Sequence, residues 1–160
     1  MRGDISPEIQ YNRLLTRYRI QSDFPVNDDI QQLIRQADDA RRHAYIPYSH
    51  YPVGAALRAA DGTVYTGCNI ENASFPVTIC AERVALVKAI SEGEREFETI
   101  VVVTPNGGSP CGMCRQMLYE FAPSLRVILA NGDGEIVHDA PLSDLLPLGF
   151  SPADLPHAAP

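Results

Sequence analysis

Apolar residues recur at intervals of three and four in VNDDIQQLIRQADDARRHAY, placing Ile30, Leu33, Ile34 and Ala37 on one face, and this spacing predicts an amphipathic helix. Asn27 or Asp28 stands where a side chain would cap it, and Pro47 in IPYSHYP breaks it. VGAALRAADGTVYTGCNI then reads as a β-hairpin turning at Asp61-Gly62. ICAERVALVKAI is the next helix, running to about Gly93. ETIVVVTP and LRVILA are continuous apolar runs of strand length, the signature of strands buried on both faces, and CGMCRQMLYEFA between them is helical. NGDG turns into EIVHDA, and PLSDLLPLGF begins as a short helix. Buried strands alternating with helices after a hairpin imply an α/β protein with three α/β/α layers around a mixed sheet of about five strands. No internal repeat or low-complexity tract interrupts the pattern.

Size and charge narrow the class. A chain of 160 residues suits one domain with a substantial core. The polar, aromatic-dotted leader at 1–26 is set apart from a domain expected at 27–153, with 154–160 as a tail. A net charge of −7 disfavours a nucleic-acid backbone as partner, since such binding depends on clustered Lys and Arg. No apolar run approaches membrane-spanning length, and MRGDISPEIQ lacks the apolar centre of a signal peptide, so a cytoplasmic protein with no membrane partner is expected.

The four cysteines change the picture more. In a chain without a secretory signal, the C-x-x-C of Cys111 and Cys114 points to metal or redox chemistry rather than to disulfides. Cys80 opens one helix, and Cys111 and Cys114 open another. Helix N-termini carry free N–H groups and positive potential, which stabilise thiolates. If the two helix starts meet, three thiolates surround one zinc ion and leave its fourth position open, as in catalytic sites. Glu82, two residues after a ligand, is then placed to move a proton to and from a zinc-bound water. Arg83 and Arg115 follow ligands directly and could hydrogen-bond the sulfurs, withdrawing charge from an electron-rich site. Taken singly, a C-x-x-C is often structural and a first-turn Glu is often a capping residue. CAER and PCGMCRQ about thirty residues apart, taken together, favour the catalytic reading. Cys68 reads most simply as a buried free thiol.

The segments AYIPYSHYPVGAALRAADG, GCNIENASFPVTICAERVALVKAI, SPCGMCRQMLYEF and LLPLGFSP resemble the small, homotetrameric cytidine deaminases, in that family's order and over residues 28–153. The resemblance implies Cys80, Cys111 and Cys114 as zinc ligands and Glu82 as the proton shuttle. It implies Asn69 and Glu71 at the ribose 3′-hydroxyl, the Ala81 backbone at the pyrimidine edge, and the Ser109 carbonyl facing the departing ammonia. Tyr51 stands where the family has a phenylalanine packed on the base. Phe75 stands where the family often has tyrosine. Phe75 and Phe150 match positions that reach a neighbouring subunit's site. A hydroxyl is thus gained at position 51, and it is expected to find a partner at the pocket rim by the sugar.

The function this implies is zinc-dependent hydrolysis of cytidine and 2′-deoxycytidine to the uridines, with one zinc per chain and no organic cofactor. The rival within the fold is a deaminase of another cytosine nucleoside such as blasticidin S. The rival from another class is a non-catalytic scaffold stabilised by zinc, which requires a fourth protein ligand.

Overall fold

A computed structural model describes residues 27–156 of the chain. The leader at 1–26 and residues 157–160 of the tail lie outside the described residues.

Helix α1 (Asp28–Arg41) starts where Asn27 Oδ1 accepts a bond from the Ile30 amide at 3.1 Å, so Asn27 rather than Asp28 is the cap. The periodic face predicted from sequence is the buried one: Ile30, Leu33, Ile34 and Ala37. Strands β1 (Gly54–Ala59) and β2 (Val64–Cys68) form the hairpin. Its turn is fixed by Gly62 at φ +90 and by Asp61, whose carboxylate accepts from the Thr63 amide and hydroxyl. After a short 3-10 turn at Phe75–Val77 come α2 (Ala81–Ser91), β3 (Phe97–Val103), α3 (Gly112–Phe121), β4 (Arg126–Ala130) and β5 (Ile136–Pro141). The stretch expected to begin as a helix does so for one turn, α4 (Leu142–Leu145).

The strands form one mixed sheet in the order β2-β1-β3-β4-β5, antiparallel except for the parallel pair β3–β4. Period-two alternation divides the central strands between two cores. Leu57, Ile100, Val102, Val127 and Leu129 face α2 and α3, whereas Ala56, Val101, Val103, Ile128 and Ala130 face α1. This double burial is why these strands read as unbroken apolar runs rather than as alternating ones. The three expected layers are present.

Both helix layers sit very close to the sheet. A Cβ on Gly54 would lie 1.9 Å from the Ala37 carbonyl oxygen, and one on Gly67 would lie 2.5 Å from that of Ala81. Gly67 therefore lets the first turn of α2 rest on β2 itself. The inner face of α2 is correspondingly small, with Ala81, Ala85 and Ala89 fully buried.

Candidate active site

The N-termini of α2 and α3 meet on the same face of the sheet. Cys80 and Cys111 occupy the two N-cap positions, and neither makes a side-chain capping bond. A serine or aspartate there would turn its oxygen back onto the helix amides; the cysteines leave their sulfurs free to face each other. Cys80 Sγ and Cys111 Sγ are 3.9 Å apart, and Cys111 Sγ and Cys114 Sγ are 3.4 Å apart. All three sulfurs lie within 4.8 Å of one another. Zinc bound tetrahedrally at about 2.3 Å from each sulfur requires sulfur separations of about 3.8 Å. The donor set and its spacing therefore fit a zinc ion. Among the described residues no fourth Cys, His, Asp or Glu joins the group, and Cys68 is apart from it on β2. Three thiolates with an open position suit catalysis better than a purely structural zinc site.

The electrostatics within the cluster are coupled. The Cys80 thiol is lowered to about 5, chiefly because Cys114 donates to it, with burial opposing and Arg83 assisting. Cys114 is raised by the same contact and by burial. One sulfur is thus a ready thiolate and the other retains a proton that a bound metal would displace. Arg83 places one terminal nitrogen 3.7 Å from Cys80 Sγ and 3.1 Å from the Thr78 carbonyl oxygen, so it does lie on a ligand sulfur. Arg115 does not. Its Nε donates to the Pro110 carbonyl at 2.8 Å, and its terminal nitrogens donate to the Leu145 carbonyl at 2.7 Å and to Ser109 Oγ at 2.8 Å. The expectation that Arg115 would hydrogen-bond sulfur is corrected. Unlike Arg83, it points along the entry loop, where carbonyls present a better match to its planar fork.

Glu82 is 3% exposed in the first turn of α2. Burial, then the nearby charge of Cys80, raises its carboxyl to about 7. A carboxyl that titrates near neutrality both accepts and returns protons under ordinary conditions.

The remaining predicted residues surround this centre. Asn69 is nearly buried; its Oδ1 accepts from the Val53 amide and its Nδ2 donates to the Tyr51 carbonyl, both at 2.9 Å. Glu71 Oε2 accepts from the amides of Tyr48 and Ser49 at 2.9 and 3.2 Å. Hydrogen bonds from Ser49, then from these amides, hold its carboxyl below the usual range. Asn69 and Glu71 thus staple the loop at 45–53, a task the sequence reading missed. A polar pair two residues apart gives no local signal that its partners lie some twenty residues upstream. Ala81 is wholly buried at the start of α2, and Ser109 is exposed just before Cys111. The Tyr51 hydroxyl, expected to find a partner at the pocket rim, donates to Asn106 Oδ1 in the loop after β3. Phe75 packs edge-on against Tyr48 and is 72% exposed; Phe150 is also exposed, its carbonyl held by Gln116.

A fold with zinc-ready thiolates at two helix starts beside a buried acid matches the family model described as "Cytidine and deoxycytidylate deaminase zinc-binding region" over residues 27–130, and the chain belongs to that family. Among named relatives, it is 49% identical over 134 residues to a cytidine deaminase of Sporosarcina psychrophila, covering 82% of this chain and 98% of the relative. It is 48% identical over 130 residues to a cytidine deaminase of Halalkalibacterium halodurans, covering 79% and 98%. The crystal structure of cytidine deaminase from Burkholderia pseudomallei superposes with a TM-score of 0.71 at 46% identity, covering 74% of this chain and 97% of that one.

Proposed function

We propose that the chain hydrolyses cytidine and 2′-deoxycytidine to uridine and 2′-deoxyuridine with one zinc ion bound per chain. The observation that carries this reading is the convergence of Cys80, Cys111 and Cys114 at two helix starts, with the buried carboxyl of Glu82 beside them. When bound, zinc supplies the Lewis acidity that lets water lose a proton near neutral pH. Glu82 carries the protons. It accepts one from the attacking water and passes it to ring N3, which makes C4 electrophilic. It delivers a second to the exocyclic amino group, which leaves as ammonia. Both hydrogens of the water are thereby accounted for, one on N3 of the product and one on ammonia.

The other roles follow the family resemblance position by position. Arg83 draws charge from the Cys80 sulfur. Ala81 meets the pyrimidine edge through its backbone, the Ser109 carbonyl faces the amino group, and Tyr51 packs on the base. Asn69 and Glu71 hold the ribose with the hydrogen-bonding capacity their loop contacts leave over. Phe75 and Phe150 complete a neighbour's site in a homotetramer. Two large apolar side chains held in solvent by a short 3-10 turn and a Gln116 bond support that assembly. Among the described residues no helix is long and apolar enough to cross a membrane, and we place the enzyme in the cytoplasm.

The test is a steady-state assay of the zinc-loaded protein on cytidine, 2′-deoxycytidine, CMP and blasticidin S. Turnover of both nucleosides in preference to CMP and blasticidin S is expected. Preference for CMP or blasticidin S by tenfold or more, roughly 1.4 kcal/mol, overturns the substrate assignment.

A further inference from the structure

The loop at 104–111 joins the end of β3 to the ligand Cys111 and carries Ser109. Its middle is tied to a residue far away in sequence. The Tyr51 hydroxyl donates to Asn106 Oδ1 at 2.5 Å. The Thr104 hydroxyl lies 3.4 Å from the same oxygen and accepts the Gly108 amide at 2.6 Å. Thr104 is itself buried, and its amide bonds the Ala130 carbonyl on β4. Two glycines make this arrangement possible. Gly107 has φ +72, and a Cβ there would lie 2.2 Å from Val137 Cγ2. A Cβ on Gly108 would lie 2.6 Å from the Tyr51 hydroxyl oxygen. The loop's far end is held independently by Arg115, through the Pro110 carbonyl and Ser109 Oγ.

We infer that Asn106 is a positioning residue: with Tyr51 and Thr104 it fixes the 104–111 loop, so that the Ser109 carbonyl meets the departing amino group. This rests on the proposed deaminase reading. The hydroxyl of Tyr51 then serves the loop, while its ring is left for the base. A phenylalanine at 51 would leave Asn106 without this donor. Thr104, Asn106, Gly107 and Gly108 therefore work as one set with the Tyr51 hydroxyl, and this set reaches the departing amino group through Ser109.

The experiment measures kcat and KM for cytidine in the zinc-loaded wild type and in Asn106→Ala, Asn106→Asp, Tyr51→Phe and the double variant Tyr51→Phe/Asn106→Ala. Zinc content and thermal midpoint are recorded for each. The wild type must turn over cytidine; if it does not, the deaminase reading fails by itself. Given that turnover, Asn106→Ala is expected to lower kcat about tenfold with KM within about twofold and zinc retained, the size of one well-made hydrogen bond. Asn106→Asp keeps an acceptor for both hydroxyls and is expected to recover most of the loss. The double variant is expected to be no slower than the worse single one, because both changes break the same bond. An Asn106→Ala enzyme with wild-type kcat, a loss confined to KM, or additive losses in the double variant would each overturn the inference. So would a fall in kcat in proportion to zinc content or to the fraction unfolded, because that is a structural effect alone.

Discussion

On one face of the sheet, α1 lays Ile30, Leu33, Ile34 and Ala37 against Ala56, Val101, Val103, Ile128 and Ala130, a buried apolar cluster. On the other, α2 meets the sheet through Ala81, Ala85, Leu86 and Ala89, yet gives a position in its buried first turn to Glu82. The two helices flank the same strands at the same close range. They differ at their starts. Helix α1 opens with an asparagine that caps it, whereas α2 and α3 open with cysteines that do not. The first face holds its buried carboxylate, Asp139, in an ion pair with Arg126 at 2.7 Å, whereas the second buries Glu82 beside the sulfur cluster, where chemistry is needed. A buried carboxyl and three clustered thiols are costly as core and useful as a site.

The sharpest way to separate the faces is Glu82→Gln. The amide fills the same space but carries no proton. Turnover should fall about 10³-fold while zinc content and thermal midpoint stay near wild type. Residual activity within tenfold of wild type would remove Glu82 from the proton path.

Leu33→Ala strikes the opposite face. Leu33 is 2% exposed in a closed cluster, so the truncation should cost about 2–5 kcal/mol of unfolding free energy, measured by denaturant titration. At a temperature where the variant remains folded, kcat should be unchanged. A large fall in kcat would mean that the α1 face also tunes the site.

Arg83→Ala is the mildest of the three. Removing the guanidinium beside Cys80 leaves the thiolate charge uncompensated. The acid limb of the rate–pH profile should move to higher pH, with a loss of about tenfold in kcat at neutral pH and KM less affected. An unmoved limb would show that Arg83 serves only the Thr78 carbonyl.

What could be read in the sequence follows the same division. The α1 face was legible because its period is regular and local, and the central strands because double burial leaves no polar interruption. The meeting of Cys80, Cys111 and Cys114 near Glu82 was legible because their spacing along the helix starts is itself the signal. Arg115 was not. Adjacency to Cys114 suggested a bond to sulfur, but the side chain reaches the Leu145 carbonyl, thirty residues on. The partner of the Tyr51 hydroxyl was equally hidden, since Asn106 lies 55 residues away on another loop. Asn69 and Glu71 stand out in sequence only through the family resemblance, and their bonds to the 45–53 backbone carry no local signal. In each case the residue type announced a polar contact, and only tertiary folding decided with what.

The uncapped starts of α2 and α3 have a further consequence, for local stability. The amides of Ala81, Glu82 and Arg83, and those of Gly112 and Met113, open their helices with no side-chain oxygen from the capping position to receive them. Negative charge gathered on the cysteine sulfurs is the natural counterpart of those helix ends. The ion that gathers it therefore also seals the two helices at their first turns. Loss of the ion should register first as faster amide exchange over these few residues, well below the free energy of global unfolding. The opposite end of the molecule, where Asn27 supplies its own oxygen to α1, would not sense the change.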